Sequence, residues 1–146
     1  QKNLPLVIHT ADCVPVVFAD IKNKAIGNAH CGWRGTFNKL AQKTFVEMNK
    51  SFGTKADDLK VFIGPCICMN CYEVSKELYM QFMEKFGYDE FIVQKDGKYY
   101  HTNITKIHVK RIQYRIGIGP ISMFTYRYLI KFKIRVYWSS LTTIYF

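Results

Sequence analysis

Residues 97–146 of this 146-residue chain contain no aspartate and no glutamate. Nor does any stretch approach the roughly 18–20 consecutive apolar side chains that a membrane-crossing helix needs. The best candidate, residues 4–19, is interrupted by His9, Asp12 and Pro15. Glycine and proline are few, at nine and four, and a hydrophobic share of 49% leaves enough apolar surface for a core. Collagen-like, low-complexity and wholly disordered classes are excluded. The expectation is a soluble protein with no membrane partner. The chain opens on Gln1 without a methionine or a signal-peptide pattern, which points to a fragment of a cytoplasmic protein.

The missing acids explain the net charge of +10. Residues 1–96 hold 12 basic and 11 acidic side chains and are nearly neutral, whereas residues 97–146 hold nine basic side chains and none that oppose them. That second stretch also carries 11 of the 23 aromatics and nine isoleucines. Two compositions therefore meet near Asp96-Gly97. The expected organisation is one domain core over 1–96 and an atypical basic, aromatic-rich tail over 97–146. The tail is read as a frame-shifted product of AT-rich DNA or as the divergent end of the same domain. Basic and aromatic residues together also suit single-stranded nucleic acid, but nucleic acid is not the partner expected here.

Cysteine is odd in number: 13, 31, 66, 68 and 71. Free thiols or metal ligands in a reducing compartment fit better than a disulfide framework. Cys66-x-Cys68-x-x-Cys71 looks like half of a zinc knuckle, but no cysteine follows to complete it. Small thiols lining a turn are the preferred reading, and the triplet is a weak signal for metal.

Hydrophobic periodicity predicts strands over 4–9 and 13–19, with Pro15 pointing to an edge position or an irregularity. Residues 20–24 form a turn, and 25–30 a strand that pairs with the preceding one. Gly32-Trp33-Arg34-Gly35 feeds a helix over 36–52, with Thr36 as N-cap and Gly53 as stop. Its inward stripe is Leu40, Ala41, Thr44, Phe45 and Met48. A short strand over 61–64 follows, then a helix over 75–86 with Val74, Leu78, Phe82, Met83 and Phe86 on one face. Strands over 91–94 and 98–101 flank the hairpin dipeptide Asp96-Gly97, and a weaker helix spans 104–114. The expected fold is a single mixed α/β (α+β) domain with a mostly antiparallel sheet packed with helices.

Chemistry concentrates in Thr10-Ala11-Asp12-Cys13 and in residues 29–36, AHCGWRGT. Cys13 opens one strand and His30 closes its hairpin partner, so the two can share one sheet end. There they suit a Cys–His nucleophilic pair or two ligands of one zinc ion. A buried cysteine and a hydrogen-bonded core histidine would give the same spacing. Arg34, between two glycines and beside Trp33, suits an anionic oxygen or phosphate. His9 is a poor third ligand, because four residues of strand span about 13 Å, unless Thr10-Ala11 bends sharply.

The segments TADCVPV (10–16), AHCGWRGT (29–36), IGPCI (63–67) and CYEV (71–74) together resemble the laccase-domain, or YfiH-type, polyphenol oxidase family. Its members are described as purine nucleoside phosphorylases with adenosine deaminase activity. The resemblance covers about residues 4–95 in the family's order. It implies a YfiH-like layered sandwich, similar to toxin deamidase domains, that holds zinc through two histidines and a cysteine. Cys13 and His30 match two of those ligands; the third lies in an upstream QxHG-type segment that this chain lacks. The chain thus looks truncated at its N-terminus. Phe124-Thr125-Tyr126 stands where the family has a Cys-Thr pair, with Phe in place of Cys, and the family's closing Ser-Tyr-Arg-Arg-like segment is not recognisable.

On this resemblance, purine nucleosides and phosphate are the partners, zinc is the cofactor, and Arg34 holds the phosphate. Asp12, next to Cys13, is the candidate for orienting a ligand or moving a proton. Three rivals remain: a metal-free cysteine hydrolase using Cys13 and His30, an inactive remnant, and a basic nucleic-acid-binding module. A copper-dependent phenol oxidase is disfavoured, since four histidines in total are too few for multicopper sites.

Overall fold

The computed structural model describes residues 4–67, 71–86, 92–101, 135–138 and 141–145. In chain order these form β1 (Leu6–His9), β2 (Val14–Asp20), β3 (Ala25–Cys31), α1 (Trp33–Phe37), α2 (Leu40–Phe52) and a 3-10 turn (Ala56–Asp58). There follow β4 (Leu59–Ile63), β5 (Glu73–Val74), α3 (Lys76–Phe86), β6 (Ile92–Lys95), β7 (Lys98–His101), β8 (Arg135–Trp138) and β9 (Leu141–Tyr145). The strands make three three-stranded sheets, ordered β1-β9-β8, β3-β2-β4 and β5-β7-β6. All the described ladders are antiparallel, as expected of a mixed α/β chain.

The sheet β3-β2-β4 organises the core. Every residue of β2 is buried. Val14, Val16 and Phe18 form one face, opposite Cys31, Ala29 and Gly27 of β3. That row of small residues lets α2 lie close, and Ala41 and Met48 complete the cluster with Leu59 and Val61 of β4. Burying Phe18 alone, at 0% exposure, contributes about 1.5–3 kcal/mol. The expected stripe on α2 holds, with Ala41 and Met48 buried and Leu40 and Phe45 packed beside them.

Pro15 does not mark an edge strand: β2 is the centre of its sheet. The irregularity that proline demands lies at the β4 side instead. The register with β4 starts at Val16↔Ile63, and beyond it the Pro15 carbonyl accepts the Gly64 N–H at 2.9 Å. The missing proline N–H therefore falls where the regular ladder has already ended.

The helix expected over 36–52 is two helices. Thr36 is not an N-cap but sits inside α1, buried, with its hydroxyl donating to the Gly32 carbonyl at 2.9 Å. The break comes at Lys39, whose φ of 57° is left-handed. The chain turns there as the Asn38 and Lys39 N–H groups close on the carbonyls of Arg34 and Thr36. Gly53 ends α2 in the left-handed region as anticipated. On α3, the Ser75 hydroxyl accepts the Leu78 N–H at 3.3 Å. Phe82 is buried against Phe37 and Phe86, with ring centroids at 5.2 and 5.5 Å. This aromatic cluster ties α3 to α1.

Asp96 and Gly97 both have positive φ, 52° and 76°, the signature of a type I′ turn between β6 and β7. The compositional seam thus falls inside a paired hairpin. Strand β9 pairs residue for residue with β1, from Leu6↔Ile144 to His9↔Leu141, so the basic tail supplies strands to a sheet that the first strand belongs to. The helix expected over 104–114 and Phe124-Thr125-Tyr126 lie outside the described residues.

At the end of β2, burial pushes the Asp20 carboxyl up, but hydrogen bonds from the Asn23 N–H and amide outweigh it and hold it below the usual carboxylate range. A depressed folded-state pKa contributes stability that is present above the unfolded value near 4 and is lost as pH falls below it. Asp20→Ala is expected to cost about 1.5–3 kcal/mol at pH 7. Urea denaturation at pH 7 and pH 3 checks this, the difference between the two proteins shrinking at the lower pH.

Candidate active site

The β2–β3 register builds the site. Val14 faces Cys31 and Pro15 faces His30. Alternation then puts Cys13, Pro15 and His30 on one face, opposite the core face of Val14 and Cys31. Cys13 and His30 are diagonal neighbours across the hairpin, within reach of each other's side chains.

Gly32 makes that approach possible. A Cβ placed there would lie 2.7 Å from the Cys13 Sγ and 4.0 Å from the His30 Nε2. Sulfur and imidazole nitrogen thus converge over a bare backbone. Gly35 has a matching task, since a Cβ there would come within 2.6 Å of the His30 carbonyl oxygen. The two glycines of GWRG therefore fix opposite sides of one structure: the thiol lies on the first and the histidine backbone on the second.

Arg34, exposed on α1, stacks over the Trp33 ring at 4.2 Å from the guanidinium carbon to the centroid. Stacking fixes the plane of the guanidinium and leaves its N–H edges directed outward. Trp33 itself packs on the α3 aromatic cluster. Asp12 is exposed, and its main-chain carbonyl accepts the Ile67 N–H at 3.0 Å. Burial pushes the Cys13 thiol up, and the charges of Asp12 and Cys66 add to it. Cys31, on the core face, is pushed up to about 12, chiefly by burial, and is an inert core thiol.

Two more side chains join the group: Cys66, the first cysteine of the half-knuckle triplet, and Tyr72, which spacing did not single out. Cys66 and Tyr72 pack against the buried cluster that holds Val14 and Cys31. Burial raises the Tyr72 phenol, the charges of Cys13 and Asp12 raise it further, and Arg34 acts in the other direction. Tyr72 is therefore a protonated hydrogen-bond donor at neutral pH, in the field of all three. The signal was the CYEV segment, whose place beside TADC depends on pairing that local pattern does not reveal.

His9 stays apart. The chain does bend between β1 and β2, at residues 11–13, but the bend carries β1 into a different sheet. Among the described residues no three His, Cys, Asp or Glu side chains converge to hold a metal ion. The described site is a pair, Cys13 and His30, flanked by Asp12, Arg34 and Tyr72.

Gly35→Ala should force the α1 backbone off the His30 carbonyl and cost about 1–3 kcal/mol. A lowered urea midpoint, with the amide signals of His30 and Gly35 displaced in an NMR spectrum, is the expected outcome; an unchanged midpoint would remove the close approach.

The sequence profile of the multi-copper polyphenol oxidoreductase laccase family matches residues 1–126. Among curated proteins, the chain is 45% identical over 84 residues to the purine nucleoside phosphorylase of Bacteroides thetaiotaomicron, covering 58% of this chain and 31% of that protein. It is 37% identical over 98 residues to purine nucleoside phosphorylase CA_C1699 of Clostridium acetobutylicum (67% of this chain, 42% of that one). It is also 34% identical over 88 residues to adenosine deaminase RL5 of an unknown prokaryotic organism (60% and 33%). The chain thus spans less than half the length of these relatives. Among solved structures, the hypothetical protein YfiH of Bacillus licheniformis matches with a TM-score of 0.64 and 27% identity, over 75% of this chain and 42% of that one. The profile spans most of the chain, and this chain belongs to the multi-copper polyphenol oxidoreductase laccase family.

Proposed function

We propose that the protein represented by this chain is a zinc-dependent purine nucleoside phosphorylase with adenosine deaminase activity. Its substrates would be adenosine, inosine, guanosine or methylthioadenosine, with phosphate. The observation that carries this reading is the convergence of the Cys13 Sγ and the His30 Nε2 over Gly32, within segments shared with relatives named for those activities.

Sulfur and imidazole nitrogen are the donors zinc prefers, so the pair fits two positions of a zinc site. The third protein ligand would come from outside the described residues. When bound, zinc supplies Lewis acidity, lowering the pKa of water toward about 7. The chain's own residues supply the rest. Arg34, stacked on Trp33 with outward N–H edges, would hold phosphate, and Tyr72 would donate a hydrogen bond to the bound nucleoside. The exposed Asp12 carboxylate would orient a ligand or accept a proton. Burial and the Asp12 charge keep the Cys13 thiol protonated in the metal-free chain, which opposes a metal-free cysteine nucleophile; a cation reverses both effects.

Residues 1–96 would then be the core of one laccase-type domain and 97–146 its atypical end, a reading supported by the pairing of β9 with β1. No helix among the described residues is long and apolar enough to cross a membrane. The four described cysteines are all thiols, which suits the cytoplasm.

In a version extended to the relatives' length, Cys13→Ala and His30→Ala should each abolish zinc retention in purified protein. Each should also lower phosphorolysis more than about 100-fold. Full turnover in either variant would overturn the zinc reading. Arg34→Ala should raise the KM for phosphate about tenfold while zinc content stays unchanged, as metal analysis beside steady-state kinetics would show.

A further inference from the structure

Few side chains border His30 on its own face of the sheet, and the register says which. Pro15 lies directly opposite it, and Val17 lies opposite Asn28. Cys13 and Val17 are its diagonal neighbours, and Asn28 and Gly32 flank it along the chain. Among the described residues β3 is an outer strand of its sheet, so no second strand of that sheet adds a neighbour. Proline, valine and glycine carry no side-chain hydrogen-bonding group, and Cys13 is the other member of the donor pair. On this face of the described sheet, Asn28 is therefore the bordering side chain with an oxygen that can accept a proton from His30.

The fold makes no use of that amide nitrogen. Asn28 is half-buried, and its Nδ2 is enclosed without a hydrogen-bond partner among the described residues. Ile26 shares its face and Val17 lies opposite it, so an aliphatic side chain would suit the place. Buried polar groups are nearly always paired, and leaving one unpaired costs stability. A carboxamide kept there at that cost, beside the exposed His30, serves something other than packing.

We infer that Asn28 is a positioning residue for His30: its carboxamide oxygen accepts the imidazole Nδ1–H and fixes the ring with Nε2 toward Cys13. This rests on the proposed reading of Cys13 and His30 as metal donors. A histidine that offers Nε2 to a metal carries its proton on Nδ1, and that N–H needs an acceptor. The Nε2 already lies on the Cys13 side, 4.0 Å from where a Gly32 Cβ would stand. Two residues along a strand span about 6.5 Å between Cα atoms, a gap that an asparagine and a histidine side chain close together. The orientation of the amide follows from the same chemistry. With its nitrogen toward the ring, Asn28 would donate to Nδ1, leave the proton on Nε2 and block that donor. With its oxygen toward the ring, the nitrogen stays unpaired, as the structure has it.

The test measures two quantities on the reduced 146-residue chain: the urea midpoint without metal, and zinc affinity by competition with a chromophoric chelator. Asn28→Leu keeps a branched shape and removes both the oxygen and the orphaned N–H. Its urea midpoint should be unchanged or higher, whereas its zinc affinity should fall about 10–100-fold. Asn28→Asp keeps an acceptor oxygen in place and should hold zinc about as well as the unaltered chain. Unchanged zinc affinity in Asn28→Leu would overturn the inference. So would a lowered midpoint, which would make Asn28 part of the fold, or an equal loss of zinc in Asn28→Asp. The two readings separate in the unaltered chain. Failure of that chain to bind zinc strikes the donor pair and the inference with it, while tight binding that Asn28→Leu leaves intact strikes the positioning role alone.

Discussion

One register holds the site together: Val14 against Cys31 and Pro15 against His30, on two strands joined by a turn anchored by Asp20. Because side chains alternate along a strand, that pairing sorts the residues into two layers. Val14, Val16, Phe18, Ala29 and Cys31 go to the core, and Cys13 and His30 to the opposite face. A slip of one residue would bury the histidine among aliphatic side chains and turn Phe18 outward. The same contacts that stabilise the hairpin thus position the chemical pair, and stability and site geometry cannot be varied independently here.

The GWRG segment converts that register into a shaped site. It follows β3 directly, so its backbone must pass beneath the Cys13 thiol and over the His30 carbonyl within a few residues. Only a chain without side chains at Gly32 and Gly35 can do so. Trp33 anchors the segment in the α3 aromatic cluster while supporting Arg34 from below. The Arg34 guanidinium is thereby attached to a rigid cluster.

Much of this was legible in the sequence. The valine-rich strands, the turn at 20–24, the Asp96-Gly97 hairpin and the α2 stripe are local patterns, and they appear where expected. The failures have physical causes. Thr36 has the chemistry of an N-cap, yet the fit of Gly35 on His30 starts the helix earlier, and Thr36 uses its hydroxyl within α1. Pro15 argued for an edge because a missing N–H is costly mid-sheet; the ladder ends beside it, which no single-strand pattern can show. The pairing of β1 with β9 joins the two ends of the chain through a stretch of odd composition. Cys66 and Tyr72 come near the start of β2 because the chain after β4 is tied back to it, with the Ile67 N–H on the Asp12 carbonyl, a long-range contact that no local pattern shows. Cys13 and His30 themselves could be placed together from sequence, since a hairpin with a short turn determines its own register.

The central claim is that Cys13 and His30 form one donor pair over Gly32. Titrating the reduced chain with cobalt(II), a spectroscopically visible stand-in for zinc, tests it most directly. Thiolate-to-cobalt charge-transfer absorption is expected at one equivalent, abolished by Cys13→Ser and strongly weakened by His30→Ala, but retained in Cys71→Ser. Absorption that survives both of the first two substitutions would place the metal on other cysteines and contradict the account.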